Sequence, residues 1–163
     1  MRRYLFNMEK IKYVKGAKPR VDCILCAIRD RDPDVSALEV FTGERVIVTV
    51  NLYPFNAGHL MIFPMRHVED LAELDEAEAL EMHRVTAISL RALREEFEPA
   101  GFNIGYNMGR ESGASIDHIH QHIVPRYRNE TGFLDVLGGT RIMVVDPRDA
   151  MERLKARFSL IGR

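Results

Sequence analysis

In the run Asp117-His118-Ile119-His120-Gln121-His122-Ile123-Val124-Pro125, histidine recurs at every second position. Such spacing calls for an extended strand, in which side chains i, i+2 and i+4 leave the same face. Three imidazoles then stand roughly 6–7 Å apart along one surface, about twice the 3.3 Å rise per residue. Half of the chain's 6 histidines fall in this run. Imidazole serves near neutral pH as nucleophile, acid, base or metal ligand, so the run marks a functional site.

The rest of the chain supplies the partners of that strand. Phe41–Val50 reads as a hairpin, its Thr42-Gly43 turn leading into the β-branched segment Arg45-Val46-Ile47-Val48-Thr49-Val50. A loop over 51–58 precedes a strand from His59, which Pro64 stops. Asp75 with Glu78 forms a capping pair for one long helix to about Phe97. Met82, Val85, Ile88 and Ala92 give it a buried face, whereas His83 is read as a solvated or packing residue. Phe102–Tyr106 is a further strand, the segment Tyr127–Thr140 a polar, glycine-rich stretch, and Arg141–Val145 another strand. Asp146-Pro147 opens a last short helix. Strands following one another with few helices between them favour an antiparallel α+β sheet, of about five strands here.

At 163 residues, 46% hydrophobic and 29% charged, the sequence fits one ordinary globular domain over 1–163, with an arm at 1–20 and a C-terminal helix and tail at 147–163. A net charge of −1 argues against a nucleic-acid footprint. No apolar run approaches a membrane span, and no signal segment follows Arg2 and Arg3, so a cytoplasmic protein is expected. The 2 cysteines, Cys23 and Cys26, form a C-x-x-C. Zinc ligation is the favoured reading over redox chemistry, because no βαβ pattern surrounds the motif; a buried cysteine pair is the plain alternative.

The loop Asn107–Ser115 leads straight into the histidine strand. Gly109 and Gly113 allow backbone N–H groups to approach an anion, and the Ser115 hydroxyl adds a donor. A neutral imidazole beside such a loop can attack phosphorus, while its neighbours donate to phosphoryl oxygens. A metal held by all three histidines is the competing reading, but successive positions on one strand face are a strained way to hold one ion.

Ser112–Arg126 resembles the histidine-triad (HIT) family, whose signature is His-φ-His-φ-His-φ-φ with φ apolar. The similarity extends over about residues 4–146. It takes in the loop, Gly-His, apolar strand and proline of Asn51–His67, and the arm and C-x-x-C of Tyr4–Cys26. Asn107, Pro125-Arg126 and the glycine-rich tail point to the branch near Fhit, which holds dinucleoside polyphosphate hydrolases and phosphorylases. The resemblance implies a HIT fold with one long and one short helix, joined as a homodimer into a larger sheet. It implies cleavage at the α-phosphate of diadenosine polyphosphates or related nucleoside 5′-monophosphate derivatives. His120 would be the nucleophile, His122 would contact the α-phosphate, and Ser115 would serve the scissile bridge or leaving group. Asn107 and Gly113 fall beside phosphate, Asn51 at the ribose, and Ile24, Leu25 and Met61 around the purine, core packing being the plain reading of those three. In zinc-containing relatives the ligands correspond to Cys23, Cys26, His67 and His118, a closed structural set. Magnesium would accompany a polyphosphate substrate. Two positions depart from the family: Ala114 stands where a glutamine is usual, and Gln121 where an apolar residue is. By alternation Gln121 should leave the opposite face from the nucleophile. His122 separates the chain from the related uridylyltransferases, which carry glutamine there. A purine-nucleotide-binding or signalling protein with incidental hydrolysis is the alternative function.

Overall fold

The computed structural model describes residues 19–128, 130 and 143–161. In chain order come α1 (Ile24–Arg29), β1 (Glu39–Thr42), β2 (Val46–Val50), β3 (Leu60–Pro64), α2 (Glu76–Phe97), β4 (Gly101–Tyr106), β5 (Gln121–Arg126) and α3 (Pro147–Ile161). The strands form one antiparallel sheet in the order β1-β2-β3-β5-β4. This is the α+β sheet of about five strands expected from the strand pattern.

Alternation along β2 and β3 sorts the apolar side chains between two layers. Val46, Val48, Val50, Leu60 and Ile62 join Met82, Val85, Ala92 and Leu93 of α2 and Leu154 and Phe158 of α3 in the larger core. Ile47, Met61 and Phe63 face the other way and pack with Leu25, Ala27 and Ile28 of α1 and with Val35. Because Met61 pairs with His122 and Ile62 with Gln121, register alone puts His122 on the α1 side and Gln121 on the α2 side. There Thr86 Oγ1 donates to Gln121 Oε1 at 2.6 Å, and Gln121 Nε2 donates to the Tyr106 hydroxyl at 3.1 Å. Gln121 thus anchors the sheet to the helix layer, as its parity demands.

The caps follow from the sequence. The Asp75 side chain accepts from Glu78 N and the Glu78 carboxylate accepts from Asp75 N, the reciprocal capping box expected of this pair. Pro125 is tolerated inside β5 because the β3 ladder ends at Ile123 and only β4 pairs beyond it.

Three expectations need correction. Among the described residues there are three helices, where one long and one short were expected. The additional one, α1, forms because Cys23 caps it, accepting from Cys26 N, while Leu25, Ala27 and Ile28 bury one face. The C-terminal helix spans 15 residues and is not short. The strand expected at Arg141–Val145 is not seen in its described part, Met143–Val145, where Val144 is 84% exposed. The arm at 1–18 and most of the glycine-rich stretch lie outside the described residues.

Candidate active site

The β5 ladder begins only at Gln121, so His118 and His120 occupy a lead-in outside the ladder and His122 alone lies in the strand. That lead-in is held by Ile119 N donating to Val68 O at 2.7 Å. The three rings therefore do not form one equivalent row.

Hydrogen bonds to groups of fixed polarity assign the tautomers. His120 Nδ1 lies 2.8 Å from the His118 carbonyl oxygen, which can only accept. Nδ1 of His120 therefore carries the proton, and the lone pair sits on Nε2. Burial pushes the His120 pKa below the usual histidine value, against the opposing pull of that carbonyl. The group is a neutral imidazole at neutral pH. Its ring lies 4.7 Å from the His122 ring, edge to face.

His122 is polarised from behind by a fourth histidine. Phe55 N donates to His59 Nδ1 at 3.1 Å, so His59 carries its proton on Nε2. That nitrogen lies 3.0 Å from His122 Nδ1, to which it donates, leaving His122 Nε2–H as the outward donor. His59 is fully buried, and Phe55 stacks on it at 5.3 Å. The loop carrying Phe55 is tied down by the buried Asn56, whose Nδ2 donates to Pro125 O at 2.7 Å. Gly58, at φ 77, takes a backbone conformation that favours glycine, and a Cβ there would come within 3.0 Å of Leu93. Sequence reasoning gave His59 no role in the site. Its signal was the Gly-His pair just ahead of β3, but period-2 reasoning cannot show that it meets the triad from the neighbouring strand.

His120 and His122 open onto a cavity of about 290 Å³. All nine residues expected to act on substrate line it: His120, His122, Ser115, Asn51, Asn107, Gly113, Ile24, Leu25 and Met61. Asn51 Oδ1 is already engaged by Tyr53 N at 2.9 Å, so its amide presents N–H groups. Gly113, at φ 91, closes the 3-10 turn Arg110–Ser112 that feeds Ser115 into the cavity.

On the other side of Ile24, Ser115 and Ile116 lies the second cluster. One donor atom each from Cys23, Cys26, His67 and His118 falls within 4.8 Å of the others. His118 Nδ1 is 3.5 Å from Cys23 Sγ and 3.6 Å from Cys26 Sγ, and His67 Nδ1 is 3.3 Å from Cys26 Sγ. Tetrahedral zinc with ordinary Zn–S and Zn–N lengths sets such S···N pairs roughly 3.5 Å apart, so the donors fit the ion. The far nitrogens match the same reading. His118 Nε2 donates to Pro64 O at 3.0 Å and His67 Nε2 faces Glu69 at 3.5 Å, which turns both Nδ1 lone pairs inward. Burial and the neighbouring Cys23 hold the Cys26 thiol up at about 11, while burial and the nearby His67 press His118 down to about 4. A divalent cation would reverse the thiol's preference and take the histidine lone pair directly.

Residues 32–129 match the family model of the HIT domain. The chain belongs to the histidine-triad family. Among curated HIT relatives, an AP-4-A phosphorylase of Mycobacterium tuberculosis is 35% identical over 127 residues, which cover 77% of this chain and 65% of that protein. This HIT chain thus spans about 65% of the length of that relative. The Protein hit of Bacillus subtilis is 36% identical over 113 residues, 69% of this chain and 76% of that one. A Zn-bound histidine triad family protein from Mycobacterium smegmatis superposes with a TM-score of 0.71 at 26% identity, covering 86% of this chain and 96% of that chain. The family model begins after Cys26, so half of the cysteine–histidine cluster comes from sequence ahead of the matched domain. Among the described residues no helix is long and apolar enough to cross a membrane.

Proposed function

We propose that this HIT protein splits diadenosine polyphosphates at an α-phosphate through a covalent nucleotidyl-His120, with inorganic phosphate as the second acceptor. The observation that carries the reading is the His118 carbonyl on His120 Nδ1, which leaves a buried, neutral Nε2 lone pair beside the cavity. His120 Nε2 attacks the α-phosphorus, the N–P bond forms as the P–O bond to the polyphosphate breaks, and the departing oxygen leaves with the electron pair of that bond, accepting a hydrogen bond from the Ser115 hydroxyl. His122 Nε2–H donates to a non-bridging oxygen and stabilises the charge that grows there. Asn107 and the N–H groups around Gly113 hold the phosphate. Asn51 donates to the ribose, and Ile24, Leu25 and Met61 cover the purine. The second acceptor then displaces His120, restoring the free imidazole. The relatives named AP-4-A phosphorylase support phosphate in this place.

Cys23, Cys26, His67 and His118 would hold zinc in a closed set with no open position. Its contribution is to fix His118, whose carbonyl orients the nucleophile. Magnesium would enter only with the polyphosphate. The homodimer expected of the family would form along β4, a reading supported by its outer place in the sheet and by Ile104, which is 46% exposed. Turnover of diadenosine tetraphosphate, measured with and without added phosphate, tests the reading. Phosphate-dependent release of ADP with ATP supports it. Release of AMP with ATP independent of phosphate makes the protein a hydrolase. No turnover of this or shorter homologues favours a nucleotide-binding protein instead.

A further inference from the structure

Among the described residues, the cavity in front of His120 is lined by no lysine and no arginine, and the one formally charged residue lining it is a carboxylate, Asp34. That is an unexpected group in a site for an anionic ligand. Asp34 and Ser36 flank Val35, which is buried against Leu25 and Ile28 of α1, and all three line the cavity, so this stretch borders its α1 flank. On that flank the remaining lining is apolar: Ile24, Leu25, Ile28, Val35 and Leu38. The phosphate-handling groups, Ser115, Asn107, His120 and His122, come from other segments. Asp34 N donates to Asp32 Oδ1 at 2.9 Å, which fixes the local backbone. Among the described residues its carboxylate has no hydrogen-bond or ion-pair partner.

From these placements we infer that Asp34 reads the base of the bound nucleotide, accepting from an exocyclic amine on the outer edge of a purine held by the apolar flank. The inference rests on the proposed nucleotide site and adds what that site selects. An ionised carboxylate offers only acceptors. Facing a base, it rewards N–H donors such as the adenine 6-amine or the guanine 1-imino and 2-amino groups, and disfavours an edge without them. Facing phosphate, it would only repel. An apolar slot alone grips any purine by area and distinguishes bases weakly, so a polar group on its rim is what supplies selectivity. Ser36, donor and acceptor at once, cannot impose a sign by itself.

The test is calorimetric binding of adenosine 5′-monophosphate and of purine riboside 5′-monophosphate, which differ only in the 6-amine, to the full chain. The wild type should bind the amine-bearing nucleotide roughly tenfold more tightly, the effect of one charge-assisted hydrogen bond at a partly wet rim. Asp34→Ala should bring the ratio close to one by weakening adenosine monophosphate alone. Asp34→Asn, which keeps one acceptor oxygen, should fall between. Asp34 is exposed, and a melting curve matching the wild type shows that each variant folds. A ratio near one in the wild type, or a ratio unchanged in Asp34→Ala, overturns the inference while leaving nucleotide turnover untouched. If neither nucleotide binds the wild type, both this inference and the nucleotide site beneath it are wrong.

Discussion

Replacing His59 with phenylalanine isolates the relay behind His122. The ring volume and the stacking against Phe55 are largely kept, but two hydrogen bonds go: the one His59 Nδ1 accepts from Phe55 N and the one Nε2 donates to His122 Nδ1. Leaving a part-buried backbone N–H without its acceptor costs about 2 kcal/mol. In a domain of this size that lowers the melting temperature by roughly 4–8 °C. The catalytic effect is smaller than the loss of a nucleophile, because His122 remains and only its tautomer and aim are released. A net hydrogen bond of about 0.5–1.5 kcal/mol corresponds to a fall in kcat/KM of roughly 2- to 12-fold. His59→Gln, whose amide can both accept and donate, should recover part of each loss. Thermal melts and steady-state kinetics on a dinucleoside polyphosphate read both quantities. A folded His59→Phe protein with wild-type kcat/KM would refute the relay. So would a loss as deep as that of His120→Gly, since His59 would then belong to the chemistry itself.

Protonation of His120 and the metal cluster give three further expectations. Burial depresses the His120 pKa, so its lone pair survives below the ordinary histidine range. The acid limb of kcat/KM should then fall at a lower pH than about 6.5, and a midpoint above that value would contradict a buried nucleophile. The same shift makes stability decline with acid: the unfolded chain takes up the proton near pH 6.5 and the folded chain only further down. His120 therefore contributes fully above that pH and progressively less as the pH falls toward its folded value. At the second cluster, purified protein should carry close to one zinc per chain, and Cys26→Ser should lose it and melt at lower temperature. A metal-free wild type that melts and turns over normally would exclude an obligatory ion.

Much of this arrangement was legible because it depends on parity and spacing. Gln121 differs from its histidine neighbours by one position, and that alone sent it to the helix layer, where it meets Thr86 and Tyr106. The Asp75–Glu78 box and the i, i+3 cysteines are local patterns whose partners lie within one turn. The unequal fates of His118 and His120 were harder to see. The lead-in to β5 is not yet paired in the sheet, so a strict strand face does not apply to it, and only the family resemblance separated the two residues. His59 escaped because its meeting with His122 depends on the β3–β5 register and on a nine-residue loop folding back to present Phe55 N. Asp34 carried no motif at all; only the lining of the cavity singles it out.

The central claim is that His120 bears the nucleotidyl group between two displacements. The stereochemical course at phosphorus tests it most directly. Each in-line displacement inverts the centre, so passage through His120 gives two inversions. A substrate made chiral at the α-phosphorus should therefore yield product with net retention of configuration. Net inversion would mean a single direct displacement by the acceptor, and the covalent account would fail.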